Sequence, residues 1–356
     1  MNRRVRLADV ARAAGVAPST ASLVLSGRGT ELRISEAVQQ RVRAVSAELG
    51  YRPNIVSLGL SKGATRTLGF VSDTVATSQL AGDMIKGAID AARERGYLLF
   101  IGETEGDGQA EKDLLEAMAD RQVDGLVLAS MFTRERGVPA ELERVPAVLL
   151  NTVADRPTAI PAVVPDEVGA GRVAARVLLD AGHREVHLVG AGPGPGDVPL
   201  GSVAGEERLL GIREALAEAG VEPASGRARL AWHPQDGREA TRDLLAVRPR
   251  PGALICFNDR LALGAYQALQ EAGLRIPEDV SVISFDDHPL AGWLQPGLTS
   301  LAIPHEALGR TAIELLVDAL AGADAAPRPA AATGVVHRIP TPLRSRGSVG
   351  PPGATG

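Results

Sequence analysis

Polar side chains follow several short apolar runs of this chain, at points where predicted strands end. One run ends before Ser72 and Asp73, another before Asn258, and a third before Asp286. Ligands of open α/β sheets bind beyond the carboxyl ends of the strands. Arg208 opens a helical segment, and a guanidinium facing carboxylates suits several ligand hydroxyls at once. These residues predict a binding site for a polyol-like or sugar-like molecule.

Some of these residues also have a purely structural interpretation. Asn258 and Asp259 can cap the helix that follows, and for Asp259 capping is the expected role. Asp287 can stabilise a turn. Arg208 is harder to explain in this way, because an arginine at the start of a helix opposes the helix dipole.

Other chemistry finds little support in the residue pattern. The glycine-rich run at 190–197 lacks the G-x-G-x-x-G spacing, and its prolines remove N–H donors that a phosphate needs. His183 and His187 fall on a turn and a strand, and the single cysteine, Cys256, supports neither an internal disulfide nor a thiolate zinc site. No Ser-His-Asp arrangement has a plausible spacing. We therefore expect no enzymatic activity, no metal and no cofactor.

Alternating strands and helices position the polar residues. Helical patterns lie between the apolar runs, and several end at a glycine, as at Gly96, Gly182 and Gly220. Continuous apolar strands that alternate with helices indicate parallel sheets covered on both faces, and two such sheets fit the length. The apolar runs lie at 68–71, 98–101, 126–129, 148–151, 186–190, 254–257 and 282–285.

Composition and charge limit the class of protein. Of the 356 residues, 45% are apolar and 23% are charged, as in ordinary soluble globular proteins. No apolar run is long enough to span a membrane, and no apolar signal segment follows the basic N-terminus. We therefore expect a cytoplasmic protein without membrane contact.

The charge is distributed unevenly along the chain. Residues 1–63 contain ten Lys or Arg and four acids, whereas the remainder contains 28 basic and 39 acidic residues. A basic head on an acidic body favours a nucleic-acid-binding module, although a solvated basic face is the alternative.

The first fifty residues have the spacing of three short helices. Leu7, Val10 and Ala14 repeat at helical intervals, Gly15 ends that helix, and Pro18 suits the first position of the next. A third amphipathic helix is predicted over 36–49. Two short helices joined by a glycine-containing turn are typical of a helix-turn-helix unit, though three-helix units also have structural roles.

Two runs in this region, LADVARAAGVAPSTASLVLSGRG and ELGYRPN, resemble the headpiece of the LacI/GalR (lactose-repressor) family of bacterial transcription regulators. FNDRLALGAYQAL, IPEDVSVISFDD and LTSLAIPHEALGR are similar to the core of the same family. The resemblance spans about residues 6–340. It implies an all-α helix-turn-helix headpiece followed by a two-lobed, periplasmic-binding-protein-like α/β core with parallel sheets.

The resemblance also implies DNA contacts. The second helix would lie in the major groove, with Pro18, Ser19 and Leu23 at base-reading positions and Thr20 and Ser22 at phosphate-binding positions. The family commonly has Arg where Leu23 stands, and Leu23 cannot form the bidentate contact of Arg with guanine, so an atypical operator is expected. The complete set of implied contacts is Leu7, Pro18, Ser19, Thr20, Ser22, Leu23, Ser26, Arg28, Tyr51, Asn54, Ser57 and Leu60.

The segment 54–62 matches the family hinge. In relatives this segment becomes helical only on operator DNA, and paired hinge helices wedge a leucine into the minor groove. Leu60 holds that position here. A plain flexible linker is the alternative interpretation.

The same match sets the expected domain boundaries. The headpiece would cover 1–53, the hinge 54–66 and the core 67–342. Within the core, the first lobe would comprise about 67–164 and 303–322, and the second lobe about 166–300 and 332–342. The Gly/Pro/Ser-rich residues 343–356 are predicted to form a disordered tail.

The resemblance places an effector between the lobes. In relatives the counterparts of Arg208, Asn258 and Asp286 contact it, and Asp73 matches a further contact position. The usual aromatic stacking residue is missing after Asp73, and Phe257, Trp232 or Trp293 can replace it. The predicted effector-binding set is Ser72, Asp73, Arg208, Phe257, Asn258 and Asp286.

These features predict a sequence-specific DNA-binding regulator, specifically a repressor. We expect it to bind a near-palindromic operator as a homodimer, with an affinity controlled by a small, sugar-like metabolite held between the lobes. A solute-binding protein without a role on DNA is the alternative.

Overall fold

The computed structural model describes residues 5–51, 64–78, 82–323 and 334–353. The N-terminal part is a three-helix headpiece of α1 (Leu7–Ala14), α2 (Pro18–Leu25) and α3 (Glu36–Glu48). Gly15 joins α1 to α2 with a φ of 67°, a left-handed conformation that glycine adopts without steric cost. The small headpiece core contains Val10, Ala11, Ala14, Ala21, Val24 and Val42.

The start of α1 has an unusual cap. Arg6 occupies the N-cap position, where helices favour a short side chain with a hydroxyl, amide or carboxylate oxygen. Asp9 compensates in part, because its carboxylate accepts the backbone N–H of Arg6 at 2.9 Å. This is one half of a capping box.

The core contains two six-stranded sheets. The first has the order β11-β5-β4-β3-β1-β2, and the helices α4, α5 and α11 belong to the same lobe. Its strands are β1 (Thr67–Ser72), β2 (Leu98–Glu103), β3 (Gly125–Arg136), β4 (Ala147–Ala154), β5 (Ala162–Pro165) and β11 (Val336–Ile339). Its helices are α4 (Gly82–Glu94), α5 (Gly108–Asp120) and α11 (His305–Ala323).

The second sheet has the order β12-β10-β9-β8-β6-β7, and the antiparallel β12 lies at its edge. Its strands are β6 (Val186–Gly190), β7 (Ser225–Ala228), β8 (Ala253–Cys256), β9 (Ser281–Asp286), β10 (Thr299–Ala302) and β12 (Leu343–Arg344). Its helices are α6 (Glu167–Asp180), α7 (Val203–Glu218), α8 (Pro234–Val247), α9 (Asp259–Glu271) and the short α10 (Pro289–Trp293). Helix α6 packs against α7, and α8 packs against α9.

The predicted apolar runs form seven of the twelve described strands, β1–β4, β6, β8 and β9. Apart from β2 and the last residues of β3, these strands are almost entirely buried, as expected for parallel strands with helices on both faces. The predicted fold class, a helical headpiece with a two-lobed parallel α/β core, is confirmed. No helix within the described ranges is long and apolar enough to cross a membrane.

One lobe boundary was wrong. Residues 332–342 were expected in the second lobe, but Val336–Ile339 pairs in parallel with Ala162–Pro165 at the edge of the first sheet. The chain therefore crosses to the second lobe for the last time between β11 and β12. Strand β11 is half exposed and contains His337 and Arg338, so it has no apolar run that would reveal its partner.

The prediction of a disordered tail from residue 343 was also wrong. Leu343 pairs with Leu301, and the chain continues along the second sheet. Ser348 is fully buried; its hydroxyl accepts the N–H of Thr299 at 2.8 Å and donates to the carbonyl of Val282 at 2.6 Å. A composition rich in Gly, Pro and Ser indicates a flexible chain only where the backbone has no partner, and here the sheet edge provides one.

Candidate functional site

Helix α2 of the headpiece presents a polar surface. Ala21 and Val24 face the headpiece core, while Pro18, Ser19 and Ser22 are exposed. Thr20 and Leu23 are half-buried. The side chains on this face are mostly small, and none of them is acidic, so the helix can approach base edges and phosphates without charge repulsion.

The other predicted DNA contacts are less uniform. The Ser26 side chain is buried and donates to the carbonyl of Leu23 at 3.1 Å, so the prediction of a phosphate contact by this hydroxyl is not supported by its position. Leu7 and Tyr51 pack against the headpiece core, and the Arg28 guanidinium pairs with Glu31 at 3.3 Å. Asn54, Ser57 and Leu60 lie outside the described residues.

A cavity of about 800 Å³ lies between the two lobes of the core. This volume is within the range of small-molecule sites in proteins. The first lobe contributes Asn151 and the 131–134 segment of β3, and the second contributes Arg208, Asn258 and Asp286. Three of the six predicted effector contacts, Arg208, Asn258 and Asp286, therefore line a single cavity.

Arg208 is the most constrained polar side chain of the cavity. Its guanidinium forms two hydrogen bonds to the Glu167 carboxylate, at 2.7 and 2.8 Å, and a third to the Phe257 carbonyl at 2.6 Å. It also lies 4.7 Å from the centre of the Phe285 ring. Burial alone would lower the pKa of Arg208, but Glu167 and then Asp286 outweigh this effect and raise it. The side chain is thus a fixed, fully charged donor.

Two glycines bring Glu167 and Arg208 together. A Cβ at Gly171 of α6 would lie 2.2 Å from the Arg208 carbonyl oxygen, and a Cβ at Gly211 of α7 would lie 2.0 Å from the Val168 carbonyl oxygen. Only the absence of side chains allows the two helices to approach this closely. The close crossing places the start of α6 beside the first turns of α7, where the ion pair forms.

Asp286 faces Arg208 from the end of β9, with an oxygen-to-nitrogen distance of 3.7 Å. Burial raises the pKa of Asp286 to about 7, more than the nearby Arg208 lowers it. The residue has a φ of 107°, and the next residue, Asp287, has a φ of 54°. Both values are in the left-handed region, where non-glycine residues are strained, and strained residues concentrate at functional sites.

Asp259 holds this strained turn in place. Its carboxylate accepts the Ser300 hydroxyl at 2.8 Å and the His288 backbone N–H at 2.7 Å, and it also contacts the Ser284 hydroxyl. The expectation that Asp259 caps α9 was therefore wrong. Asn258 is the cap, because its side-chain oxygen accepts the N–H of Leu261 at 2.8 Å.

Trp232 and the exposed Phe132 are the aromatic residues that line the cavity, and Trp232 is the one fixed by hydrogen bonds. Its indole N–H donates to the Gly190 carbonyl at 2.9 Å, and Asn258 donates to its backbone carbonyl at 3.3 Å. The ring is thereby fixed at the cavity wall. Of the other two candidate stacking residues, Phe257 is fully buried in the core, and the exposed Trp293 does not line the cavity.

Ser72, Asp73 and the Phe257 side chain do not line the cavity, so their prediction as ligand contacts is not supported by their positions. Ser72 and Phe257 are buried in their respective lobes. Asp73 pairs with Arg134, which does line the cavity, and accepts the N–H of Met131 at 2.9 Å. It therefore shapes the cavity wall without reaching the ligand space.

Sequence reasoning missed several cavity residues, among them Asn151 and Glu167. Asn151, at a φ of 52°, is buried, and its side-chain oxygen has no hydrogen-bond partner within the described chain. It follows the apolar part of β4, the same signal that singled out Asn258. Glu167 follows β5, a strand too short to be predicted, so its place beside Arg208 had no sequence signal.

Comparison with known proteins identifies the family. The family model for bacterial regulatory proteins of the lacI family matches residues 6–54, and the model for the periplasmic binding protein-like domain matches residues 175–349. The ribose operon repressor of Escherichia coli (strain K12) is 32% identical over 313 residues, which are 87% of this chain and 91% of the relative. The chain belongs to the lacI family.

Solved structures of lacI-family proteins share the fold. The lac repressor dimer bound to operator and the anti-inducer ONPF matches with a TM-score of 0.78 and 26% identity over 97% of this chain and 99% of that chain. The complex of the transcriptional regulator CelR with cellobiose matches with a TM-score of 0.63 and 30% identity over 97% of this chain and 100% of that chain. As a lacI-family protein, the chain is a DNA-binding regulator, and this part of the functional prediction is confirmed.

Two buried histidines of the second lobe form hydrogen bonds within the fold. His183 donates to the Gly350 carbonyl at 3.0 Å, and His187 pairs with the Ser225 hydroxyl at 2.8 Å. Within the ranges that the structure describes, no group of three or more His, Cys, Asp or Glu side chains could hold a metal ion.

Proposed function

We propose that this lacI-family regulator is a repressor that acts as a homodimer on a near-palindromic operator and is controlled by a polyhydroxylated, sugar-like metabolite in the cavity between its lobes. One observation carries the proposal: Arg208, fixed by Glu167, lies 3.7 Å from Asp286 at the wall of a cavity large enough for a small molecule. A rigid donor and an opposed acceptor suit the vicinal hydroxyls of a sugar.

The proposed effector contacts are Arg208, Asp286, Asn258 and Asn151, with Trp232 as the stacking surface. Asn151 fits this role because its buried oxygen needs a donor, and a ligand hydroxyl supplies one. The similar CelR structure is a complex with cellobiose, and the similar E. coli protein is a ribose operon repressor, which supports a sugar-like effector here.

The proposed DNA contacts are the exposed and half-exposed residues of α2, with Leu60 as the minor-groove wedge. Pro18, Ser19 and Leu23 would read bases, and Thr20 and Ser22 would bind phosphates. The similar lac repressor structure is a dimer on its operator, which supports a homodimer here. Since such a protein acts on chromosomal DNA, we place it in the cytoplasm and assign it no enzymatic activity.

The test is selection of genomic fragments by the purified full-length protein at a stated salt concentration, followed by a panel of sugars added to the bound complex. We expect one palindromic sequence and its release by one compound or a few related compounds. Weak, sequence-independent binding that no compound changes would contradict the proposal and would favour a solute-binding protein.

A further inference from the structure

One arginine that lines the cavity has no hydrogen-bond or salt-bridge partner among the residues that the structure describes. Four arginines line the cavity, and three of them are paired: Arg208 with Glu167, Arg134 with Asp73, and Arg344 with Asp287. The fourth, Arg260, makes no hydrogen bond or salt bridge with any described residue. Its Nε is inaccessible to solvent and has no acceptor.

Helix stability does not explain this arginine. Arg260 is the second residue of α9, and a cation in the first turn of a helix opposes the helix dipole. A buried donor without an acceptor is a further cost. The chain therefore keeps this guanidinium at the cavity wall without a hydrogen-bonded acceptor, although the charge of the nearby Asp286 carboxylate attracts it.

His288 provides a second donor at the same wall. Its Nδ1 accepts the backbone N–H of Leu290 at 3.0 Å, which places the proton of the neutral ring on Nε2. Burial, with a smaller contribution from Arg260, lowers the pKa of His288, so the ring is neutral near pH 7. His288 Nε2–H has no acceptor among the described residues, and His288 lines the cavity with Arg260.

The nearest carboxylates do not satisfy these donors. Asp287 is engaged by Arg346 at 2.6 Å and by Arg344 at 3.6 Å. Asp286 faces Arg208, and it attracts Arg260 through its charge without a hydrogen bond. Among the described residues, no acceptor therefore occupies the donors of Arg260 and His288, and an acceptor-rich group in the cavity can bind them.

We propose that Arg260 and His288 form an anion subsite of the cavity, so that the effector carries a phosphoryl or carboxylate group in addition to its hydroxyls. A planar guanidinium binds two oxygens of such a group, and charge-assisted hydrogen bonds of this kind are the stronger ones. The start of α9 adds a favourable field for a negative charge. This inference rests on the proposed function and narrows the effector class to sugar phosphates or sugar acids.

The test uses inorganic phosphate and acetate as separate probes on the full-length protein. Melting temperature is measured as each anion replaces chloride at constant ionic strength, because a ligand of the native state stabilises it in proportion to ln(1 + [L]/Kd). We expect a saturable rise for at least one anion. A response to phosphate indicates a phosphoryl group on the effector, and a response to acetate indicates a carboxylate.

Three variants assign the response. Arg260→Gln is expected to weaken anion binding at least tenfold, by the loss of about 1.4 kcal/mol or more. Arg260→Lys keeps the charge but loses the two parallel N–H donors of the guanidinium, so we expect it to bind the anion with intermediate affinity. It also serves as the test variant if Arg260→Gln does not fold. Arg250→Gln is the control, because Arg250 is exposed and does not line the cavity; it is expected to respond like the wild type.

No anion-specific rise in the wild type, or the same rise in Arg260→Gln, would overturn the inference. The result is independent of DNA. Operator release by a neutral sugar without anion binding would leave the proposed function intact and remove the subsite. An Arg260-dependent anion response in a protein that binds no operator would support the subsite and contradict the proposed function.

Discussion

Arg338 and Glu207 form a bidentate ion pair that joins the two lobes of the core. Arg338 lies on β11 of the first sheet, Glu207 lies on α7 of the second lobe, and both nitrogen-to-oxygen distances are 2.7 Å. Glu207 directly precedes Arg208, the central polar residue of the cavity. The contact thus ties the relative position of the lobes to the helix that carries the proposed effector contact.

We expect this pair to affect lobe geometry more than stability. Arg338 is 41% exposed, and exposed ion pairs contribute about 0–1 kcal/mol. In a double-mutant cycle of Arg338→Gln and Glu207→Gln, each single variant should change effector affinity by a similar factor, and the double variant should change it no further. Additive effects of the two substitutions would show that the pair does not act as a unit.

The Arg208–Glu167 pair, in contrast, should have a large effect on the free energy of unfolding. Both side chains are almost completely buried, so Arg208→Ala leaves an unpaired buried carboxylate and is expected to cost about 3–5 kcal/mol of unfolding free energy. Replacing both, with Arg208→Met and Glu167→Leu, should recover most of that loss but not effector binding. Denaturant unfolding measures both variants, and an Arg208→Ala protein as stable as the double variant would refute this account.

Asp286 should destabilise the protein at neutral and alkaline pH. Its pKa is raised to about 7 in the folded state from an ordinary value of 3.8, so its stabilising contribution is present at low pH and is lost as the pH rises through this window. We expect Asp286→Asn to be more stable than the wild type by about 1 kcal/mol or more at pH 8, with an advantage that shrinks towards pH 4.

The neighbouring residue provides the control for this pH profile. Asp287 is held by Arg346 at 2.6 Å, so Asp287→Asn should lower stability at pH 8 where Asp286→Asn raises it. Unfolding curves at pH 8, 6 and 4.5 make the comparison. A loss of stability in both variants at pH 8 would mean that Asp286 is stabilised by Arg208 more strongly than burial opposes it.

Ser348 should matter for stability although it lies in a segment of low-complexity composition. Ser348→Ala leaves the Thr299 N–H and the Val282 carbonyl without their partner, which is expected to cost about 1–3 kcal/mol. Ser345 is exposed, and Ser345→Ala should stay within about 0.5 kcal/mol of the wild type. Equal melting temperatures of the two variants would show that the C-terminal segment does not contribute to the folded core.

Leu60 tests the proposed hinge. Leu60→Gly removes the apolar wedge and lowers helix propensity by about 1 kcal/mol, so operator affinity should fall by about tenfold or more. Effector affinity of the free protein, measured by titration, should change less than about twofold. A parallel loss of both affinities would assign Leu60 to the core rather than to DNA binding.

The sequence by itself determined the element types and the family. Apolar runs at strand spacing, glycines at helix ends and the motifs around Pro18 and Asn258 predicted a helical headpiece and two parallel sheets, because these signals are local. Arg208, Asn258 and Asp286 line one cavity, since strand ends and helix starts converge at the same edge of a sheet, and their contact with an effector stays a prediction.

Only the tertiary structure decided which partners these residues have. Glu167 meets Arg208 because Gly171 and Gly211 let two helices cross closely, and the sequence separation of 41 residues hides that contact. Strand β11 and the segment around Ser348 take their places from the backbone groups of sheet edges, which have no pattern in the side chains. The lack of a hydrogen-bond acceptor for Arg260 is likewise recognised only from the tertiary structure, because it depends on which described residues surround the side chain.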